Sequence, residues 1–159
     1  MPLPLTCGDC TMCCKLLAVP EIEKPALKWC KHCSNPGGCG IYDTKPKSCT
    51  EFECIWLKTQ KTPTPLPLEL RPDKSRVVLS CWDKDHTEFI YAYMEKADKF
   101  RLGAKSAMGQ LLRETAKISA IMFVINGKPD RLSGPKEIAE KMFAQHQELQ
   151  SQFTEGKRV

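Results

Sequence analysis

Two stretches, residues 76–82 (RVVLSCW) and 88–94 (EFIYAYM), flank the polar segment 83–87. Both are rich in β-branched and aromatic residues, so the pair predicts a hairpin. Residues 102–117 carry Ala104, Ala107, Met108, Leu111 and Leu112 at helical spacing, which predicts a helix. Residues 119–125 read as a buried strand. Asn126-Gly127 then marks a tight hairpin turn, and a return strand over 128–132 follows, held to a sheet edge by Pro129. Ser133-Gly134-Pro135 opens a second helix that runs to about Gln150, with Ile138, Met142, Phe143 and Leu149 turned to the core. His146 falls on its polar face and reads as exposed. The order ββαββα predicts a small antiparallel sheet with two helices on one face.

Before residue 60 the pattern changes. Cys, Gly and Lys dominate, with little sustained periodicity and too few apolar side chains to offset chain entropy alone. The run Thr62-Pro63-Thr64-Pro65-Leu66-Pro67 favours an extended, polyproline-like strap. The reading is therefore α+β: a cysteine-rich, loop-dominated metal module over 1–60, a Pro-rich strap over 61–72, a small α+β part over 73–152 docked on the module, and a loose tail over 153–159.

Composition narrows the function classes. The chain has 159 residues, a net charge of +5 and a pI near 8.7. That falls short of the strongly basic signature of a nucleic-acid binder. No apolar run is long enough to span a bilayer, and the Met-Pro-Leu-Pro-Leu start shows no signal peptide. A cytoplasmic location is the expectation.

Ten cysteines remain to be explained, nine of them between Cys7 and Cys54. In a reducing compartment clustered thiols hold metal more often than they form disulfides, and the adjacent pair Cys13-Cys14 suits no ordinary disulfide framework. The first cluster is Cys7, Cys10, Cys13 and Cys14; the second is Cys30, Cys33, Cys39, Cys49 and Cys54. Two residues between cysteines let both sulfurs reach one ion, the spacing of tetrahedral zinc sites and of the start of the bacterial ferredoxin pattern. On a helix Cys13 and Cys14 would point roughly 100° apart, which suits two centres. Nine thiols fit two four-cysteine zinc sites with one thiol spare, one iron–sulfur cluster with five spare, or a bridged multinuclear cluster. A four-cysteine zinc site carries a formal charge of about −2. Lys15, Lys28, Lys31, Lys45 and Lys47 could screen it, or simply be surface charge.

The run C-x-x-C-x-x-C-C, followed by C-x-I-Y-x-x-[RK]-P-x-x-C-x-x-F-x-C, resembles the zinc- or iron-chelating domain family named for its CxxCxxCC motif. The matching residues are Cys7, Cys10, Cys13, Cys14, Cys39, Ile41, Tyr42, Pro46, Cys49, Phe52 and Cys54, over roughly the first third of the chain. Members usually carry Arg before the proline. Lys45 here keeps the charge but loses the planar fork. The Cys30/Cys33 pair is less regular in the family. The resemblance implies zinc or iron, and some relatives are linked to protein lysine methylation.

Other signals are weaker. Trp29-Cys30-Lys31-His32-Cys33 looks like a thioredoxin-type string, but a buried strand before it and a helix after it are both missing from the pattern. Cys81 reads as a buried inert thiol, with His86 as a remote partner for a nucleophile. His32 is an outside candidate for a zinc ligand, while Asp9 and Asp43 read as turn formers. Tyr42 and Phe52 would pack around the metal. Phe89, Tyr91 and Tyr93 alternate on a strand and read as sheet packing before an aromatic platform. No catalytic constellation is recognised, so enzymatic activity stays open. The expectation is a protein holding one or two zinc ions, structural or metal-handling, with zinc slightly ahead. The alternative is an iron–sulfur protein in redox or protein-modification chemistry. The expected partner is a metal ion, with room for a protein partner and none for a membrane.

Overall fold

The computed structural model describes residues 7–34, 37–81, 87–96, 103 and 105–154, with side chains described as far as 147. The fold is α+β. Strands β1 (Cys33–Ser34) and β2 (Gly38–Cys39) pair as a small antiparallel ribbon. Strands β3 (Val78–Cys81), β4 (Phe89–Met94), β5 (Ala120–Ile125) and β6 (Lys128–Ser133) form one four-stranded sheet in that order. The short helices α1 (Met12–Leu16), α2 (Lys47–Glu51), α3 (Ile55–Thr59) and α4 (Pro72–Ser75) precede the sheet. Helix α5 (Ala107–Thr115) lies between β4 and β5, and α6 (Lys136–Thr154) ends the described chain.

The β3–β4 pair is antiparallel, as the alternation predicts, with Val78 opposite Tyr93 and Ser80 opposite Tyr91. Most of its connecting segment, including His86, lies outside the described residues. Asn126 and Gly127 have φ of 52° and 73°, both in the left-handed region that a type I′ turn requires, and β6 returns along β5.

Two expectations are corrected. The sheet is mixed, not antiparallel throughout, because β4 and β5 run parallel. The chain between them passes through α5, and a crossover of that length permits parallel pairing. The helices also lie on opposite faces. Met108 and Leu112 of α5 pack with Ile90, Ala92, Ile121 and Phe123, whereas Met142 of α6 packs with Phe89, Ala120 and Met122. The cause is in β5. Residues 120–123 are buried without a break, so both faces of that strand need cover.

Smaller differences follow. Phe143, placed in the core by periodicity, is exposed, while Ile138 is partly buried beside Met142. Helix α5 is shorter than the span 102–117, and α6 runs past Gln150 to Thr154. Ala104 and the side chain of Leu149 lie outside the described residues. The proline strap is pinned at its end: Trp56 Nε1 donates to the Pro67 carbonyl at 3.0 Å, and Gln60 Nε2 donates to Leu66 O at 3.0 Å. Its C-terminal end forms a 3₁₀ turn (Leu68–Leu70) and leads into α4.

Among the described residues, the only buried hydrophobic side chains before residue 60 are Met12, Leu16, Val19 and Leu57. The first third therefore leans on the sheet. Met12 and Leu16 close over Val78, flanked by Leu27, Phe52, Cys54 and Tyr93. Ion pairs fix the same contact. Arg71 reaches Asp9 at 2.9 Å and Asp73 at 2.6 Å, and Lys15 reaches Glu95 at 2.7 Å. Asp9 thus anchors the module, a role its reading as a turn former did not include.

Candidate metal centre

Helix α1 starts immediately after the first cysteines, so Cys13 and Cys14 sit on its first turn while Met12 and Leu16 face the sheet. The chain then reverses through a 3₁₀ turn (Pro20–Ile22) and a bridge between Val19 and Lys24. Cys30 N–H donates to Cys14 O at 3.0 Å, which brings the second cluster beside the first. Cys33 and Cys39 are register partners across the β1–β2 ribbon. Gly38 makes that approach feasible: its φ is 93°, and a Cβ there would meet Gly8 O at 2.7 Å. Cys49 lies on α2. The first turn of that helix is held by Glu21, which accepts from Ser48 N–H at 2.8 Å and from the Ser48 hydroxyl. Cys54 precedes α3 and borders the Val78 cluster.

All ten cysteines are free thiols of intermediate exposure. A cavity of about 1030 Å³ opens among them. Cys7, Cys10, Cys13, Cys14, Cys30, Cys39, Cys49 and Cys54 line it, and so does Cys81, which is half-buried rather than the buried thiol its strand position suggested; Cys33 is not among the lining residues. Tyr42, Phe52, Trp56 and Leu57 line it as well. Cys33 begins β1, so no helix starts at the second cysteine of this string as a thioredoxin-type site needs. His32 is not among the lining residues.

The thiols interact in a chain. Cys13 hydrogen-bonds to both Cys7 and Cys14, and Cys33 hydrogen-bonds to Cys14. As the shared donor, Cys13 is held protonated, its pKa raised by those two bonds and then by burial. Hydrogen bonding from Cys13 lowers Cys7 against the opposing effect of burial, and Lys45 helps. Cys14 is lowered by Cys13 first, with Cys33 and Lys24 contributing. Burial pushes Cys10 up to about 11, and burial with Cys14 nearby pushes Cys33 to about 11. Cys49 and Cys54 are raised by burial as well.

One contributor had no signal in the sequence. Lys24 is only 6% exposed. Its ammonium donates to the carbonyls of Leu17, Lys15 (3.2 Å) and Pro25 (3.0 Å). Burial lowers its pKa, and the nearby Cys30, Cys14, Cys13 and Cys49 oppose that shift. It is a fixed positive charge against the thiol chain. His146 also departs from its reading: it is half-buried, lines the cavity, and its Nδ1 lies 3.0 Å from Tyr91 Oη.

No family model, no curated protein and no solved structure matches the chain. The fit to a metal is therefore judged on the donor set. Among the described residues no three His, Cys, Asp or Glu side chains stand arranged to hold an ion. In chemical type the set fits a soft ion: clustered, part-buried sulfurs, two of them shifted toward the thiolate, with ammonium groups at Lys24 and Lys45.

Proposed function

We propose that the chain binds a thiophilic metal through the cysteines lining this basin, as one or more thiolate centres, with zinc slightly ahead of iron. Cys7, Cys10, Cys13, Cys14, Cys30, Cys39, Cys49 and Cys54 would supply ligands, and Cys33 would serve as a ligand or as hydrogen-bond donor to Cys14. The observation that carries the reading is the common wall: eight of the nine clustered cysteines face one cavity although they come from five separate segments. A bound ion would cross-link those segments and supply Lewis acidity. Lys24 and Lys45 would offset the charge of the thiolates. Membership of the CxxCxxCC family belongs to the same proposal, with Lys45 giving charge where relatives place Arg.

A second reading places an iron–sulfur cluster on the same thiols, in redox or protein-modification chemistry; the extent of the cavity beyond the sulfurs favours it. Metal analysis with an absorption spectrum on protein purified without oxygen tests both. Colourless protein with zinc supports the first, and brown protein with iron and acid-labile sulfide the second. Metal-free protein that takes up neither zinc nor iron on reconstitution refutes the proposal.

A further inference from the structure

Two thiols from separate segments meet at the start of α1. Cys30 N–H donates to Cys14 O at 3.0 Å, and Cys33 N–H donates to Cys30 O at 3.0 Å, so a tight turn over residues 30–33 folds back onto the helix. The Cys33 side chain then hydrogen-bonds to Cys14 and to Thr11, the residue before α1. Thr11 is only 4% exposed, so the contact is made against covered structure. Gly40 N–H donates to His32 O at 2.7 Å and ties the turn to the β1–β2 ribbon. Both thiols are free.

Geometry separates this pair from its neighbours. A disulfide needs Cα atoms roughly 4.4–6.8 Å apart. Cys13 and Cys14 are consecutive, and consecutive Cα atoms stand about 3.8 Å apart, too close for a bridge without distortion. The helical bond from Leu17 N–H to Cys13 O fixes that backbone. Cys33 and Cys39 are register partners, but the Cys33 side chain is turned to Cys14 and Thr11. Cys7 and Cys13 also touch, yet both line the cavity, so neither is withheld from a molecule that enters it. Cys14 lines the cavity and Cys33 does not. A molecule in the cavity therefore reaches Cys14 first, with Cys33 already in contact with it. At about 1030 Å³ the cavity has the size of a small-molecule pocket.

We infer that Cys14 and Cys33 form a dithiol–disulfide couple that exchanges with a small disulfide entering the cavity. The Cys14 sulfur attacks one sulfur of that molecule; its S–S bond breaks, and the first thiol leaves with the Cys14 proton. The Cys33 sulfur then attacks Cys14, the mixed disulfide breaks, and the second thiol leaves with the Cys33 proton. The protein loses two electrons and two protons, and the small disulfide gains both. Contact in the folded state supplies the effective concentration that favours closure over a second attack from solution. The bridge ties α1 to the β1–β2 ribbon covalently. The inference concerns the reduced, metal-free chain and stands whether or not the thiols also hold a metal.

The probe is bis(2-hydroxyethyl) disulfide, small and uncharged, added without oxygen to the reduced full chain in the presence of a metal chelator. Released 2-mercaptoethanol is followed over time, and alkylation with peptide mass mapping locates the bonds formed. Expected are two thiols released per chain in the first phase and a bridge between Cys14 and Cys33. Cys33→Ser should release one thiol and accumulate the mixed disulfide on Cys14. Cys14→Ser should slow the first release at least tenfold. The wild-type reaction repeated in concentrated urea needs no variant to fold, and there the preference for the Cys14–Cys33 pair should fall at least tenfold. A first bridge between Cys7 and Cys13 or between Cys33 and Cys39, no bridge at all, an unchanged rate in Cys14→Ser, or the same bridges in urea as in buffer overturns the inference.

Discussion

Lys24→Met removes the buried charge beside the thiols while keeping most of the side-chain volume. Three carbonyls, those of Lys15, Leu17 and Pro25, lose their donor at a site only 6% exposed. A hydrogen bond to a charged group contributes about 1.5–3 kcal/mol. Three of them would sum to at least ~4 kcal/mol, but relief of the ammonium's desolvation returns several kcal/mol. The net expectation is a loss of about 2 kcal/mol in the metal-free, reduced protein, read from urea unfolding followed by circular dichroism. A second effect is separate. Without the cation near Cys13, Cys14, Cys30 and Cys49, thiolates are harder to form, and zinc affinity in a chelator competition should fall about tenfold, ~1.4 kcal/mol. Stability within about 0.5 kcal/mol of wild type, with equal zinc affinity, would refute the argument that Lys24 is a structural counter-charge.

Four further outcomes follow from particular contacts. Cys10→Ser and Cys49→Ser should each lower metal content, whereas Cys33→Ser, at a residue that does not line the cavity, should lower it less; equal losses in all three would remove the distinction drawn from the cavity lining. Gly38→Ala forces a Cβ against Gly8 O, so thermal melts should show a destabilisation of at least about 2 kcal/mol, and an unchanged melt would mean that the ribbon does not approach the first cysteine loop. Metal-free protein treated briefly with iodoacetamide at near-neutral pH should be alkylated at Cys14 and Cys7 before Cys10, because the first two are shifted toward the thiolate and Cys10 is pushed up to about 11. Asp73 is held below the ordinary carboxylate range by Arg71. Its contribution is therefore present above the unfolded value, near pH 3.9, and fades as pH falls through the lowered one; Arg71→Ala should flatten that acid limb of stability.

Strands and helices of the second half were legible because periodicity reports burial directly. The hairpin of β3 and β4, the Asn126-Gly127 turn and the core residues Met108, Leu112 and Met142 all follow from it. Parallel pairing of β4 with β5 was not legible, since local pattern does not encode which way a strand returns. The unbroken apolar run in β5 carried the evidence that helices cover both faces, and it reads the same for a one-sided buried strand. In the first third, Cys-x-x-Cys spacing marked the residues that converge. It did not order them, because the order depends on Gly38 meeting Gly8 and on Cys30 bonding back to Cys14. Lys24 was missed and His146 misread for one reason: a polar side chain in a polar stretch gives no sign of the cover that a distant segment provides.

The cover over α1 has a consequence for biosynthesis. Val78 and Tyr93 form the wall against which Met12 and Leu16 close, yet they are made well after Cys54. At about 5–20 residues per second, the ribosome displays the complete set of nine clustered thiols for a few seconds before that wall exists. During that interval the nascent segment is a flexible polythiol open to solvent ions and oxidants. If the basin binds metal as proposed, the moment at which β3 and β4 emerge would set when loading changes from unguided capture to selection by a formed basin.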